Sequence, residues 1–383
     1  MYDEVSNEKK SIFFETTEEY GEYIVSENYD AFLLAAILPA IVSGQNVTIK
    51  GSISDTAYVN YKTLIYLLCK TFNRPIIEIL PEKVESFVFN GREVGTGFSG
   101  GIDSFATYLN FTKEECPESY RITHLALFNV GAYGNEYEKT KAAFEKDLIR
   151  AKEFASLVNK PLVVLNSNIT ELSNGYEELF NFTPRLTTAL SSAVIVLQKL
   201  FGKYIVSSGG LIDETKLNKQ VITDFENLLL PLISNRNTEM FISESDLNRV
   251  QKTKIVSDNT ITYGNLYVCS SDSHNEKHGF NFQKNGYLNC SECIKCTRTL
   301  ITLDFLGCLD KYRNLFDLNK YYKQRDALIM NIYLWKNINL FQRDIFNLMQ
   351  STGYVLPTEL EEQIKQKQID EEFIKLQSKY KKL

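Results

Sequence analysis

The stretch Glu93-Val-Gly-Thr-Gly-Phe-Ser-Gly-Gly-Ile-Asp-Ser104 limits what this chain can become more than any other. It reads as a strand, then a glycine turn, then a helix that opens at Ile102 and runs through Leu109. Such a turn leaves several backbone N–H groups unpaired and aimed one way, with the positive end of the helix dipole behind them. The result is a seat for an anion, most naturally phosphate. Gly100 and Gly101 let the backbone come close to that anion, because a Cβ would hold it off. Ser99 and Ser104 offer hydroxyl donors. Asp103 repels phosphate, so its expected partner is a metal ion or a neighbouring N–H.

From Val94 onward the chain alternates between strand and helix patterns. Strands are expected at Thr123–Gly131, Pro161–Asn166 and Tyr204–Gly210, and helices at Glu138–Val158 and Thr187–Phe201. Alternation of this kind predicts an α/β fold with a doubly wound parallel sheet. Ligands of such sheets sit at the carboxyl ends of the strands. That edge holds Ser99–Ser104, Asn129–Tyr133, Asn166–Asn168 and Ser207–Asp213. Residues 1–90 read as a separate N-terminal α/β accessory domain. It has helices at Tyr29–Ile41 and Val59–Phe72, a strand at Asn46–Gly51 and another at Pro75–Leu80 that Pro81 ends. Residues 311–383 read as a helical C-terminal extension.

Composition narrows the class. With 383 residues the chain exceeds one average domain. Lys and Arg number 42 against 48 Asp and Glu, a formal charge of −6, which argues against a protein that coats nucleic acid. The first ten residues are acidic and polar, with no apolar core of a signal peptide. Ala31–Val42 is too short to span a bilayer and contains Pro39. These features predict a cytoplasmic protein with no membrane partner. Seven cysteines, four of them in a metal-like pattern, fit reduced thiols.

Gly95-Thr-Gly-Phe-Ser-Gly100 also matches the G-x-G-x-x-G dinucleotide pattern. That reading needs an acidic residue at the end of the second strand, and Asn129 stands there instead. A G-x-x-x-x-G-K-[ST] loop fails as well, since no lysine follows the glycines.

Cys269 is followed by Cys290-Ser-Glu-Cys293-Ile-Lys-Cys296. Three thiolates at this spacing converge on one ion around a tight knuckle, and a fourth from a distant loop closes a tetrahedron. Four cysteines with no water position predict a structural Zn²⁺, with an iron–sulfur cluster as the runner-up. His274 and His278 lie between the two parts at ligand-like spacing but read as loop residues. Cys69 and Cys308 read as core thiols, and Cys116 as a loop thiol with no activating partner.

Ser99-Gly-Gly-Ile-Asp-Ser104 after a strand resembles the signature of the PP-loop ATP pyrophosphatases. With the cysteine set, the chain from about Glu93 to Gly307 resembles their 7-cyano-7-deazaguanine synthase branch. The likeness includes Arg185-Leu-Thr-Thr-Ala-Leu-Ser-Ser-Ala and Ser208-Gly-Gly-Leu-Ile-Asp213. It implies that residues 91–310 form a PP-loop ATP pyrophosphatase domain with a four-cysteine zinc site.

The resemblance implies that ATP and Mg²⁺ bind at the glycine turn. A substrate carboxylate or carbonyl oxygen attacks the α-phosphate, pyrophosphate leaves, and a nitrogen nucleophile then replaces AMP. Ser99, Gly100, Gly101, Ile102, Asp103, Ser104, Asn129, Gly209 and Asp213 are the implied nucleotide and metal residues. Asp103, Ser99, Arg185 and Lys216 are the catalytic candidates, with Lys252 and Lys254 as weaker charge partners. Cys269, Cys290, Cys293 and Cys296 are the implied zinc ligands. The segment after Asp213 departs from the synthase, so the acceptor is left as a small-molecule or protein carboxylate or carbonyl. Residues 1–90 could serve a partner protein or a homodimer. Two other readings stand beside the ligase. One is a sulfur-transferring PP-loop enzyme acting on tRNA or a small molecule. The other is a nucleotide-binding partner in a biosynthetic or defence complex.

Overall fold

The computed structural model describes residues 2–3, 8–174, 182–212, 226–269 and 286–381. It is an α/β protein whose chain forms two compact units. The first is Met1–Ser99 with Asn110–Asp246, and the second is Gly100–Leu109 with Leu247–Leu383.

The first unit contains β1 (Tyr2–Asp3), β2 (Glu8–Lys9), β3 (Phe14–Thr16), α1 (Asp30–Ser43), β4 (Val47–Ser54), α2 (Asp55–Phe72) and β5 (Ile79–Glu85). After β6 (Glu93–Gly97) the chain enters α3 (Ile102–Asn110), most of which belongs to the second unit. It returns as β7 (His124–Asn129), α4 (Tyr137–Leu157), β8 (Leu162–Ser167), α5 (Phe182–Val196), β9 (Phe201–Ser207), α6 (Glu226–Ile233) and β10 (Glu239–Ser243). The main sheet has six strands in the order β10-β9-β6-β7-β8-β3. Every neighbouring pair from β10 to β8 is parallel. β3 closes the edge antiparallel, with Phe14 opposite Ser167. The sheet is therefore mixed, where the sequence pattern predicted a parallel one.

β3 also bears on how the chain divides. It comes from the first 90 residues yet completes the main sheet, with the Thr16 hydroxyl donating to the Val164 carbonyl at 2.7 Å. Leu34 and Ile37 of α1 and Tyr61 of α2 share one buried cluster with Ala193, Leu197 and Phe201. α1 is apolar on nearly every face, as a helix packed inside a protein must be. The N-terminal residues thus build one core with the sheet, which differs from the boundary expected near residue 90. Pro81 lies inside β5, paired with Ile49, and does not end the strand. A proline is tolerated there because β5 has a neighbour on one side only.

Sheet assembly leaves no room at one glycine. A Cβ on Gly202 would lie 2.4 Å from the Gly91 carbonyl oxygen. Gly202→Ala must move backbone, so it is expected to cost about 3 kcal/mol, read as a lower urea midpoint at unchanged slope.

The second unit contains α3, α7 (Arg249–Ser257), α8 (Ile294–Phe305), α9 (Leu318–Trp335), α10 (Leu340–Ser351), α11 (Thr358–Gln368) and α12 (Glu371–Lys381). α10 packs on α7, α8 and α9, so the C-terminal helices share a unit with the cysteine knuckle. Among the described residues no helix is long and apolar enough to cross a membrane.

Candidate functional site

The site grows from the turn before α3. Gly100 has φ +75°, the left-handed region that glycine enters without strain. The Gly101 carbonyl accepts the Phe105 N–H at 3.0 Å, which starts the helix. The Ser104 hydroxyl turns back and donates to the Gly101 carbonyl at 3.1 Å. Its proton is thus engaged within the helix's first turn rather than offered outward. Ser99 is exposed, while Gly100 and Ile102 are buried.

Asp103 is held by cations. The Arg249 guanidinium lies 2.9 Å from one carboxylate oxygen and the Lys252 ammonium 3.9 Å from the other. Both cations stand in the first turn of α7. Its start is fixed by a capping box in which Asn248 and Gln251 satisfy each other's backbone N–H groups. Positions 249 and 252 are three apart, so they share a helix face. Cations at a helix N-terminus oppose the dipole, so this pair needs a nearby anion to be stable. Lys252 is only 2% exposed, a degree of burial that lysine almost never reaches without a partner.

Arg298 of α8 adds a third cation. Its guanidinium stacks 3.7 Å over the Phe341 ring. Burial and then the neighbouring Arg249 charge lower its pKa to about 10, with Asp103 opposing the shift. It remains protonated at neutral pH. Around one carboxylate the unit therefore gathers three positive charges, a surplus suited to a multiply charged anion.

Of the candidates read from the sequence, Asp103 and Lys252 come together in this cluster. Lys254 does not, since it is exposed and pairs with Asp258 at 3.1 Å. Arg185 lies in the first unit, on α5, where it lines a small pocket with Asn135, Thr170, Ser173 and Thr188. Asn129 ends β7 in the same unit, 2% exposed, and its side-chain amide nitrogen has no hydrogen-bond partner among the described residues. The Ser207 hydroxyl at the end of β9 is also buried without one. Gly209 is exposed, with open space where a Cβ would point. Asp213, Lys216, His274 and His278 lie outside the described residues. Arg249 and Arg298 were not singled out from the sequence. The Asn248–Gln251 capping box could have revealed Arg249 and Lys252 as neighbours on one face, but nothing local marks Arg298.

Arg249 takes one oxygen of the Asp103 carboxylate, while the other is buried with no hydrogen-bond partner among the described residues. Among the described residues the one group of three or more ligating side chains is Cys269, Cys290, Cys293 and Cys296.

That group could hold a metal ion such as zinc. Its four sulfur atoms lie within 4.8 Å of one another, and Cys290 and Cys296 are 3.7 Å apart. Four sulfurs set tetrahedrally about 2.3 Å from one ion would be about 3.8 Å apart, so the set fits a single ion. The knuckle is built for anionic sulfur. The Cys293 and Glu292 N–H groups donate to Cys290 Sγ at 3.1 and 3.4 Å, and Ser291 adopts φ +65° to bring them round. Hydrogen bonding with Cys269 pulls Cys290 down to about 6, whereas the same neighbour pushes Cys296 up. Asn289 joins the two parts of the site: its side-chain oxygen accepts the Val268 and Cys269 N–H groups, and its amide donates to the Leu266 carbonyl. Cys69 and Cys308 are buried, which raises both thiols.

In comparisons with known proteins the chain matches no family model, and no curated protein or solved structure matches it at a significant level.

Proposed function

We propose that this protein is an ATP-dependent, AMP- and pyrophosphate-forming ligase of the PP-loop type, with a doubly wound sheet and a structural zinc. The observation that supports this best is the surplus of cations at the glycine turn. Arg249 and Lys252 hold Asp103 at the N-terminus of α3, and the charge of Arg298 stands near enough to interact with it. Backbone N–H groups and cations together suit the charge that collects on a departing pyrophosphate.

In this reading an acceptor carboxylate or carbonyl oxygen forms a bond to the α-phosphorus while the α–β P–O bond breaks. Pyrophosphate leaves with the electron pair, held by Lys252, Arg298 and the turn. Asp103 orients Arg249 and keeps Lys252 charged in its buried position. A nitrogen nucleophile then bonds to the activated carbon, loses its proton to solvent, and AMP departs. Mg²⁺ would travel with the phosphates of ATP and would screen their charge. Zn²⁺ at the four cysteines has no open position for substrate, so it supplies structure.

The sulfur-transfer alternative needs a reactive thiol. Cys116, its nearest candidate in sequence, is buried with Sγ turned 3.6 Å from the Pro117 carbonyl, which weighs against that role.

The test is product analysis with Mg²⁺-ATP and pooled candidate acids and amines. AMP and pyrophosphate are expected in equal amounts and only with acceptor present. Lys252→Met should lower the rate by about a hundredfold, in line with the loss of one charge stabiliser. Release of ADP and phosphate, or full turnover in Lys252→Met, would refute the reading. Tight ATP binding with no turnover over the whole panel would favour a nucleotide-binding partner protein.

A further inference from the structure

The cysteine centre reaches the proposed phosphate seat by two routes, both inside the second unit. The first runs through the chain before Cys269. The Tyr267 N–H donates to the Gly100 carbonyl at 2.8 Å, and the Cβ position of Gly100 lies 3.5 Å from the Tyr267 Cβ. The glycine turn therefore leans on the backbone two residues ahead of a metal-ligating cysteine. Asn289 holds this same backbone through the Val268 and Cys269 N–H groups, at 2.9 and 3.2 Å.

The second route runs through α8. Cys293 is its N-cap residue and makes no side-chain capping bond, so the helix lacks the usual anchor at that end. A metal ion bound by Cys293 and Cys296 would anchor that first turn instead. Arg298 follows in the next residues, and α8 packs on α7, the helix that carries Arg249 and Lys252. Cys269 and the 290–296 knuckle come from separate segments, and a metal ion would be the covalent-strength bond between them.

From these contacts we infer that the metal at Cys269, Cys290, Cys293 and Cys296 preorganises the anion seat, joining the glycine turn to the helix that presents Arg298. Metal and anion then bind with positive, reciprocal coupling. This rests on the phosphate reading of the Asp103 cluster, and the two can fail separately.

Reciprocity supplies the test. Inorganic pyrophosphate is titrated calorimetrically into full-length protein loaded with zinc, and into the same protein stripped by a chelator. In parallel, zinc is withdrawn from the loaded protein by a colorimetric chelator, with and without pyrophosphate. The stripped protein is expected to bind pyrophosphate about tenfold more weakly, and pyrophosphate should raise zinc retention by the same factor. The extraction arm uses folded, loaded protein, so it reports even where the stripped form unfolds. In Arg298→Gln, zinc content should stay at one per chain while pyrophosphate ceases to protect it. Zinc retention that ignores saturating pyrophosphate in the wild-type protein would overturn the coupling and leave the phosphate seat standing. No binding of pyrophosphate to the loaded protein would overturn the phosphate seat itself, and the coupling with it.

Discussion

Cys290→Ser is expected to empty the four-cysteine centre and to loosen the second unit. The Cys290 sulfur accepts two backbone N–H bonds and lies 3.7 Å from Cys296, so it is the hub of the knuckle. A serine hydroxyl is a poor ligand for a soft ion and stays protonated at neutral pH. Structural zinc in small knuckles contributes about 10–16 kcal/mol of binding free energy at neutral pH, larger than the whole stability of many domains. Even a fraction of that, lost at one site, should exceed the effect of any single packing change. Metal analysis of the purified variant should fall well below one ion per chain. Limited proteolysis should open new cuts near residues 286–305, while the sheet of the first unit keeps its protection. That contrast follows from the placement of all four cysteines in the second unit. Wild-type protein that purifies without metal, together with a variant that keeps the wild-type digestion pattern, would show that the sulfurs are packed thiols and nothing more.

How far such features could be read in advance depended on whether their cause was local. The glycine turn is local: one strand, one left-handed glycine and one helix start are written in adjacent residues, and the elements formed close to the expected places. The cysteine spacing is local in the same way, with a single distant member. β3 was not foreseen, because three residues carry too little periodicity to mark a strand, and its register depends on a partner some 150 residues away. The division of the chain was hidden for a similar reason. The ten residues from Gly100 to Leu109 cluster with Leu247–Leu383, a grouping that no linker or change of composition announces. The cation cluster lies between these cases. Arg249 and Lys252 share a helix face by spacing alone, but Asp103 and Arg298 join them only once the unit has folded. The expectation that Asp103 seeks a metal ion or a neighbouring N–H followed from its charge, and it did not foresee the Arg249 guanidinium that the fold brings to one of its oxygens.

Arg298→Met is expected to make the protein more stable and less able to bind pyrophosphate. The guanidinium is removed from much of its hydration and stands near Arg249; among the described residues it makes no ion pair and stacks on an aromatic ring, with Asp103 near enough to offset part of the repulsion. Burial and repulsion act in the same direction: both lower its pKa, to about 10, which means that the folded state disfavours the charged form. The sign follows from that. At every pH below about 10 the residue is charged and carries this penalty in full, so the cost is present at neutral pH and fades only in strong alkali. Methionine keeps most of the length, packs against Phe341 through sulfur, and removes both the desolvated charge and the repulsion. The lost cation–π contact offsets about 1 kcal/mol, so the net gain should be about 1–2 kcal/mol, read as a rise in urea midpoint. Pyrophosphate affinity should fall about tenfold or more, since one of three charges has gone. Arg298→Lys should recover part of the affinity without the gain in stability, because it restores the charge but not the planar fork. A purely structural arginine would give the opposite pattern, lower stability with unchanged affinity. The two readouts move in opposite directions only if the charge is kept there for a ligand, at the expense of the fold.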